Sequence, residues 1–312
     1  MTQSIRAFDK CRHIVDGFDL GMAERTGSYV LDEEELTLIE TGPAISIPHI
    51  IEGLNKLGKS PEDVKHIIVT HIHLDHAGGT GLLLEKCHKA MVYVHEKGAR
   101  HLIDPSRLIK GAKMVYGDKF DALFHPVLPV SKNNVTIVRE GDTLSLGACN
   151  LRFYDTPGHA SHHIGIYDEK TDTFFSGDTI GVRYPSLERK GLSLILPSTS
   201  PNQFDPDKMR QSAEKIKSLT PARIAMGHYG TTDNPDHVFK QLDYWLEVFL
   251  DTGKMHFENG ESDKVLKKSL LKEIKNYAEK YTELTPEDIQ LIGLDLSISS
   301  MGIMDYLKRK HR

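Results

Sequence analysis

The stretch Thr70-His71-Ile72-His73-Leu74-Asp75-His76 puts three imidazoles and a carboxylate within six positions. Neutral imidazole and carboxylate are the usual ligands of zinc, and they also suit iron and manganese. Lone structural histidines do not cluster at this spacing, so the stretch reads as a metal site rather than a histidine-rich loop. Three later segments repeat the pattern. Residues 151–155 run into Thr156-Pro157-Gly158-His159, residues 173–176 into Gly177-Asp178, and residues 222–226 into Gly227-His228. In each, an apolar run ends, a glycine follows and a ligand-type side chain comes next. Glycine permits φ > 0 and close backbone approach, so a tight turn can aim the residue after it. Four such strand ends imply a site along one edge of a sheet or pair of sheets. His88, His95, His101 and His125 stand alone at irregular spacing and are assigned no chemistry.

The elements that must position these residues follow from periodicity. Residues 66–70 read as a buried strand, and Gly78-Gly79-Thr80-Gly81 followed by residues 82–86 reads as a helix start. The ligands therefore occupy a strand-to-helix turn, with a helix N-terminus facing the site. Strands are expected at 13–15, 28–31, 36–39, 91–94, 135–138, 143–146 and 151–154, and helix and loop over 101–128. A helix over 47–57 is stopped by Gly58, and Ser60-Pro61-Glu62-Asp63 carries a cap, a first-turn proline and acids that signal another. Helices over 207–219 and 236–250 bury Met209, Ile216, Phe239, Trp245 and Phe249. Residues 253–262 read as a hinge, beyond which Leu266, Leu270, Ile274, Tyr277 and Tyr281 line one face of a helix and Thr285-Pro286-Glu287-Asp288 caps another. That apolar face must be covered by the main domain or by a second subunit, which would make a homodimer.

Composition narrows the function. At 312 residues, one large domain plus an appendage is expected, with bounds 1–254 and 255–312. A net charge of −5 gives no basic footprint, so nucleic acid is not expected as a partner, and no segment reaches membrane-spanning length. Cys11, Cys87 and Cys149 form no C-x-x-C pair, and residues 1–21 hold no apolar run of signal-peptide type. A reducing compartment, the cytoplasm, is the expected location.

In combination, H-x-H-x-D-H at 71–76, Gly158-His159, Gly177-Asp178-Thr179 and Gly227-His228 resemble the metallo-β-lactamase superfamily in order and separation, over residues 10 to 250. The glyoxalase II-like and lactonase-like branches are the most similar. The resemblance implies an α+β fold, an αββα sandwich with a C-terminal helical extension. It implies one metal held by His71, His73 and His159, a second by Asp75, His76 and His228, and Asp178 bridging both. By spacing alone His162 or His163 could replace His159; the resemblance selects His159. Glu40 stands where relatives often carry aspartate. Asp75 and Tyr184 are the catalytic candidates, the tyrosine as a donor to an oxyanion.

Two divalent ions, zinc first with iron or manganese as alternatives, would supply hydroxide near neutral pH for attack on an acyl carbon or phosphorus. The expected activity is hydrolysis of a small thioester, ester or lactone, as in a hydroxyacylglutathione hydrolase. The rivals are a small phosphodiesterase, an iron persulfide dioxygenase and a binding module without turnover. By the same resemblance the tail should lie beside the active-site mouth and contribute substrate contacts or a dimer surface, not ligands.

Overall fold

Runs of consecutive apolar side chains build the first sheet. In a computed structural model describing residues 4–311, it contains β1 (Ile5–Asp9), β2 (Arg12–Asp16), β3 (Gly27–Leu31), β4 (Thr37–Ile39), β5 (His66–Ile68), β6 (Met91–His95) and β7 (Val135–Val138), in that order. The first four strands are antiparallel and the last four parallel. Val15, Val30, Leu38, Ile67 and Val92 enter one core, while their neighbours Ile14, Tyr29, Leu31, Ile39 and Ile68 enter another. Successive Cβ atoms point to opposite faces, so one strand sequence serves both.

The chain continues through β8 (Thr143–Ser145), β9 (Asn150–Asp155), β10 (Ile164–Asp168) and β11 (Thr173–Gly177). A short ribbon of β12 (Val182–Arg183) and β13 (Ile195–Leu196) follows, then β14 (Arg223–Met226) and β15 (Thr231–Thr232). Six of these form the second sheet, ordered β15-β14-β11-β10-β9-β8. Leu151, Phe153, Ile164, Ile166, Phe175 and Ala225 from it meet Ile14, Tyr29 and Ile68 from the first sheet in the shared core. The first sheet's other face is covered by α1 (Ile47–Lys56), α3 (Thr80–Leu84) and α4 (Glu96–Ile103), through Ile50, Leu54, Leu83 and Leu102. The four-residue α2 (Leu74–Ala77) precedes α3, and α5 (Ser106–Tyr116) and α6 (Phe120–Phe124) occupy the long β6–β7 crossover.

The remaining helices are α7 (Pro185–Glu188), α8 (Pro206–Ser218), α9 (Pro235–Glu258), α10 (Asp263–Ala278) and α11 (Pro286–Lys310). One compact unit takes in the chain to Asp155, His162–Gly177 and Pro221–Asp233; the other takes Thr156–Ser161, Asp178–Thr220 and the chain from Asn234 on. Both sheets belong to the first. The outer limits of the expected division, residues 1 and 312, lie outside the described residues.

Three local expectations differ from the structure. Ser60 and Asp63 do form a reciprocal cap, but it closes only the single turn Pro61–Asp63, because buried Val64 turns extended to enter the core before β5. The expected hinge at 253 is helical: α9 runs unbroken to Glu258, and the bend lies at 259–262. Gly253 is a packing glycine, where a Cβ would stand 2.4 Å from Ile303 Cγ2 of α11. On α10 the buried line is Leu266, Leu270, Ile274 and Ala278, while Tyr281 is exposed beyond its end. This face packs against α9 and α11.

A buried ion network links the two sheets away from the histidines. Arg12 on β2 is fully buried; its Nε donates to Asp168 Oδ2 (2.7 Å) on β10, its Nη1 to Glu33 Oε1 (2.6 Å) and its Nη2 to Cys149 Sγ (3.2 Å). Burial opposes ionisation of Asp168, but the Arg12 hydrogen bond and charge overcome it and hold the carboxyl below its usual range. Glu33 is held low in the same way, by Lys170 and Arg12 against burial. A depressed carboxylate contributes stability that is full above its unfolded pKa of about 4 and is lost as pH falls through the folded value. Asp168→Asn should therefore flatten the acid limb of a denaturant-midpoint profile below about pH 4. It should also lower stability at pH 7 by about 3–5 kcal/mol, since it removes the fully buried one of the two carboxylates that neutralise a buried guanidinium.

Candidate metal centre

The turn that leaves β5 is clamped by backbone. The Thr41 and Gly42 N–H groups both donate to the His76 carbonyl (2.9 and 3.1 Å), and Gly79 N–H donates to the Gly42 carbonyl (2.8 Å). Helix α2 begins at Leu74, earlier than residues 82–86, so His71 and His73 precede it while Asp75 and His76 lie on it. Leu74 turns away into an apolar group with Phe120 and Phe124, which separates the core side of the turn from its ligand side. The His71 ring lies 4.6 Å from that of His73 and 4.2 Å from that of His76, centroid to centroid. His228 follows β14 in the same unit, and the ligand atoms of Asp75, His76 and His228 all lie within 4.8 Å of one another.

Hydrogen bonds fix which ring nitrogen of His71 is available. The Thr70 N–H and hydroxyl both donate to Glu40 Oε1, and Thr70 Oγ1 lies 3.0 Å from His71 Nδ1. With its proton given to Glu40, the hydroxyl accepts from Nδ1–H, and Nε2 keeps its lone pair. Glu40 also lies 3.6 Å from His76 Nδ1. It is 2% exposed and holds φ at +68°, a left-handed strain seldom borne by a non-glycine residue outside functional sites.

In the second unit His159 and Asp178 meet, Nε2 to Oδ2 at 3.7 Å. Ser198 serves both. Its carbonyl lies 2.9 Å from His159 Nδ1 and can only accept, so the proton is on Nδ1 and Nε2 again carries the lone pair; its hydroxyl donates to Asp178 Oδ2 (3.1 Å). Gly158, at φ +140°, lets Met209 approach, since a Cβ there would lie 2.4 Å from the Met209 Cα. The expected role of glycine holds here and at Gly177 (φ +49°), but at 227 the positive φ falls on Tyr229 (+51°) and Gly230 (+95°) instead.

The tail supports this pair without supplying ligands. Ser200 Oγ donates to the His159 carbonyl (2.9 Å), Thr199 Oγ1 donates to the Ser299 carbonyl of α11 (2.8 Å), and a Cβ on Gly302 would fall 2.1 Å from the Thr199 carbonyl oxygen. Tyr184 is 1% exposed and its hydroxyl donates to Asp295 Oδ2 of α11 (2.8 Å). His162 and His163 are buried with ring centroids 6.2 and 5.0 Å from that of His71. Neither joins a group of three ligand atoms as close as 4.8 Å among the described residues. His95 caps α4, its Nδ1 accepting from Lys97 N–H (3.0 Å). The three cysteines are unpaired, and burial pushes the Cys87 and Cys149 thiols up to about 12, far from thiolates at neutral pH.

Sequence reasoning missed Ser198, which sits in Pro197-Ser198-Thr199-Ser200-Pro201 and looks like any polar turn. It noted Glu40 as a departure from the aspartate of relatives but missed its relay through Thr70 to His71.

The family model described as the metallo-β-lactamase superfamily matches residues 24–228. The chain belongs to this superfamily. It is 27% identical over 226 residues to a metallo-β-lactamase fold-containing protein of Sulfurisphaera tokodaii, covering 70% of this chain and 79% of that protein. To a hydroxyacylglutathione hydrolase of Hahella chejuensis it is 26% identical over 190 residues, covering 60% of this chain and 54% of the relative. The crystal structure of a metallo-β-lactamase family protein from Thermus thermophilus superposes with a TM-score of 0.67 at 19% identity, covering 98% and 95% of the two chains, a likeness of fold alone. The α+β fold, a metallo-β-lactamase sandwich with a C-terminal helical region, is thus the one expected.

The donor chemistry of this superfamily member fits divalent metal. Imidazole nitrogens and carboxylate oxygens converge without thiolate, and the rings whose protons can be assigned present Nε2 lone pairs. Glu40→Gln should therefore weaken zinc binding about 10–100-fold in competition with a chromophoric chelator, by disturbing the relay through Thr70. Gly302→Ala gives a second check. In a helix the change ordinarily stabilises by about 1 kcal/mol, but here it should lower the melting temperature and speed zinc release, because the new methyl displaces the Thr199–Ser200 turn.

Proposed function

We propose that this chain is a dinuclear metallohydrolase of small thioesters, esters or lactones. Its ligands are His71, His73 and His159 for one ion, Asp75, His76 and His228 for the other, and Asp178 for both. The carrying observation is that Thr70 and Ser198 take the Nδ1 protons of His71 and His159, which supports both rings as Nε2 ligands. Two bound divalent ions, zinc first and iron or manganese as alternatives, would supply Lewis acidity and hydroxide at neutral pH.

The protein's own groups do the rest. Asp75 binds and orients, Asp178 is held for its role by the Ser198 hydroxyl, and the Glu40 carboxylate keeps His71 in one tautomer. Tyr184 acts through Asp295 and α11 rather than as a free donor to an oxyanion. Likeness to a protein named hydroxyacylglutathione hydrolase favours an acyl substrate over a phosphodiester. The substrate is read as a small molecule and nucleic acid is not a partner, given the net charge of −5. No helix is long and apolar enough to cross a membrane among the described residues, and the unpaired cysteines favour the cytoplasm.

The test is elemental analysis of freshly purified protein followed by a panel of thioester, lactone and phosphodiester substrates. The expected result is two ions per chain and acyl hydrolysis that rises with pH as the attacking water ionises. Asp178→Ala should lose both ions or nearly all turnover, and His162→Ala should be mild. Phosphodiester cleavage with acyl substrates untouched would replace the acyl reading. One iron per chain with oxygen uptake would replace it with a dioxygenase, and full metal content without turnover with a binding module.

A further inference from the structure

The loop joining β2 to β3 is costly to hold. Phe18, Leu20 and Glu24 all have left-handed backbone, at φ +47°, +56° and +58°. Each such residue costs of the order of 1 kcal/mol or more, and persists only where the surroundings impose it. Here the Asp16 carboxylate imposes it by accepting from the Phe18 and Glu24 N–H groups (3.0 and 2.8 Å), and Gly17 N–H closes the neck onto the Thr26 carbonyl (3.0 Å). The loop ends beside a ligand turn, where Gly27 N–H donates to the carbonyl of Gly227, the residue before His228.

This loop buries Asp19, which is 1% exposed. Its Oδ2 lies 3.3 Å from Arg25 Nε. Among the described residues no group donates to the buried Oδ1. Burial pushes the carboxyl up to about 6, Arg25 opposes the shift, and the charges that reach it next are those of Asp75, His228 and His76. A carboxylate oxygen buried without a donor is a large penalty that the fold maintains through a strained loop. A cation among Asp75, His76 and His228 would reverse its sign, turning Asp19 from a repelled group into an attracted one.

We propose that Asp19 is a positioning residue of the centre, a further carboxylate acting through a bridging water on the ion that Asp75, His76 and His228 bind. This rests on the reading that those three side chains hold an ion. Carboxylates placed this way raise metal affinity about 10–100-fold without being ligands.

The full-length protein, stripped with a chelator, is titrated with zinc alone against a chromophoric competitor, and with cobalt for its absorption spectrum. Asp19→Asn should weaken one of the two zinc ions about 10–100-fold, leave the other unchanged and alter the cobalt bands of the weakened site. Asp19→Glu, which keeps the charge, should restore part of the affinity. The control is Asp16→Asn, which loosens the loop and should lower the melting temperature of the metal-free protein without selecting one zinc. Zinc binding that is lost in His228→Ala but indifferent to Asp19→Asn would overturn the proposal while leaving the metal centre intact. So would an equal weakening of both ions accompanied by a lower melting temperature of the metal-free protein. Zinc binding untouched by His228→Ala would remove the metal reading itself, and the role of Asp19 with it.

Discussion

A buried imidazole can offer a lone pair to a cation only if its proton has somewhere else to go. Much of the architecture around His71 and His159 serves that need. Thr70 takes the proton of His71 and is in turn committed to Glu40; the Ser198 carbonyl takes the proton of His159. Each acceptor is fixed by something heavier. Glu40 sits at the end of β4 under backbone strain, and Ser198 precedes the Thr199–Ser200 turn that α11 braces. In the first unit the end of β4 thus fixes one ring, and in the second unit the tail helix helps to fix the other.

Electrostatics elsewhere follows the same rule of complete accounting. The Arg12 network satisfies a buried guanidinium with two carboxylates and a thiol, so its charges cost little in the folded state. Asp19 contrasts with it, a buried carboxylate that faces Arg25 through Oδ2 while its Oδ1 has no donor among the described residues. The contrast is between a closed set of charges and a carboxylate oxygen that no donor reaches among the described residues.

The sequence discloses what depends on local pattern. H-x-H-x-D-H at the end of a strand, the glycines after β9 and within β11, and the apolar runs of β2 to β5 are contiguous, and the strands lie close to where they are expected. What stayed hidden depends on packing between distant segments. Gly253 read as a hinge because glycine weakens helices, yet Ile303, fifty residues on, is the reason for it. Ser198 carries no pattern of its own, and its value appears only once His159 and Asp178 are brought to it. Tyr184 is legible as a residue soon after Asp178 but not as the partner of Asp295, which lies 111 positions away in the chain.

The bracing of the His159 segment by α11 has a consequence for biosynthesis. As the polypeptide leaves the ribosome, His71 to His76 emerge early, whereas the helix that seats Thr199 and Ser200 is made more than two hundred residues later. During synthesis the N-terminal parts of a chain are available to fold first. A nascent chain can therefore gather the histidine-rich turn long before Ser198 is held in place to fix the His159 ring. The His159 segment is thus seated late, only once nearly the whole chain has been made, whereas the histidine-rich turn depends on elements that precede it.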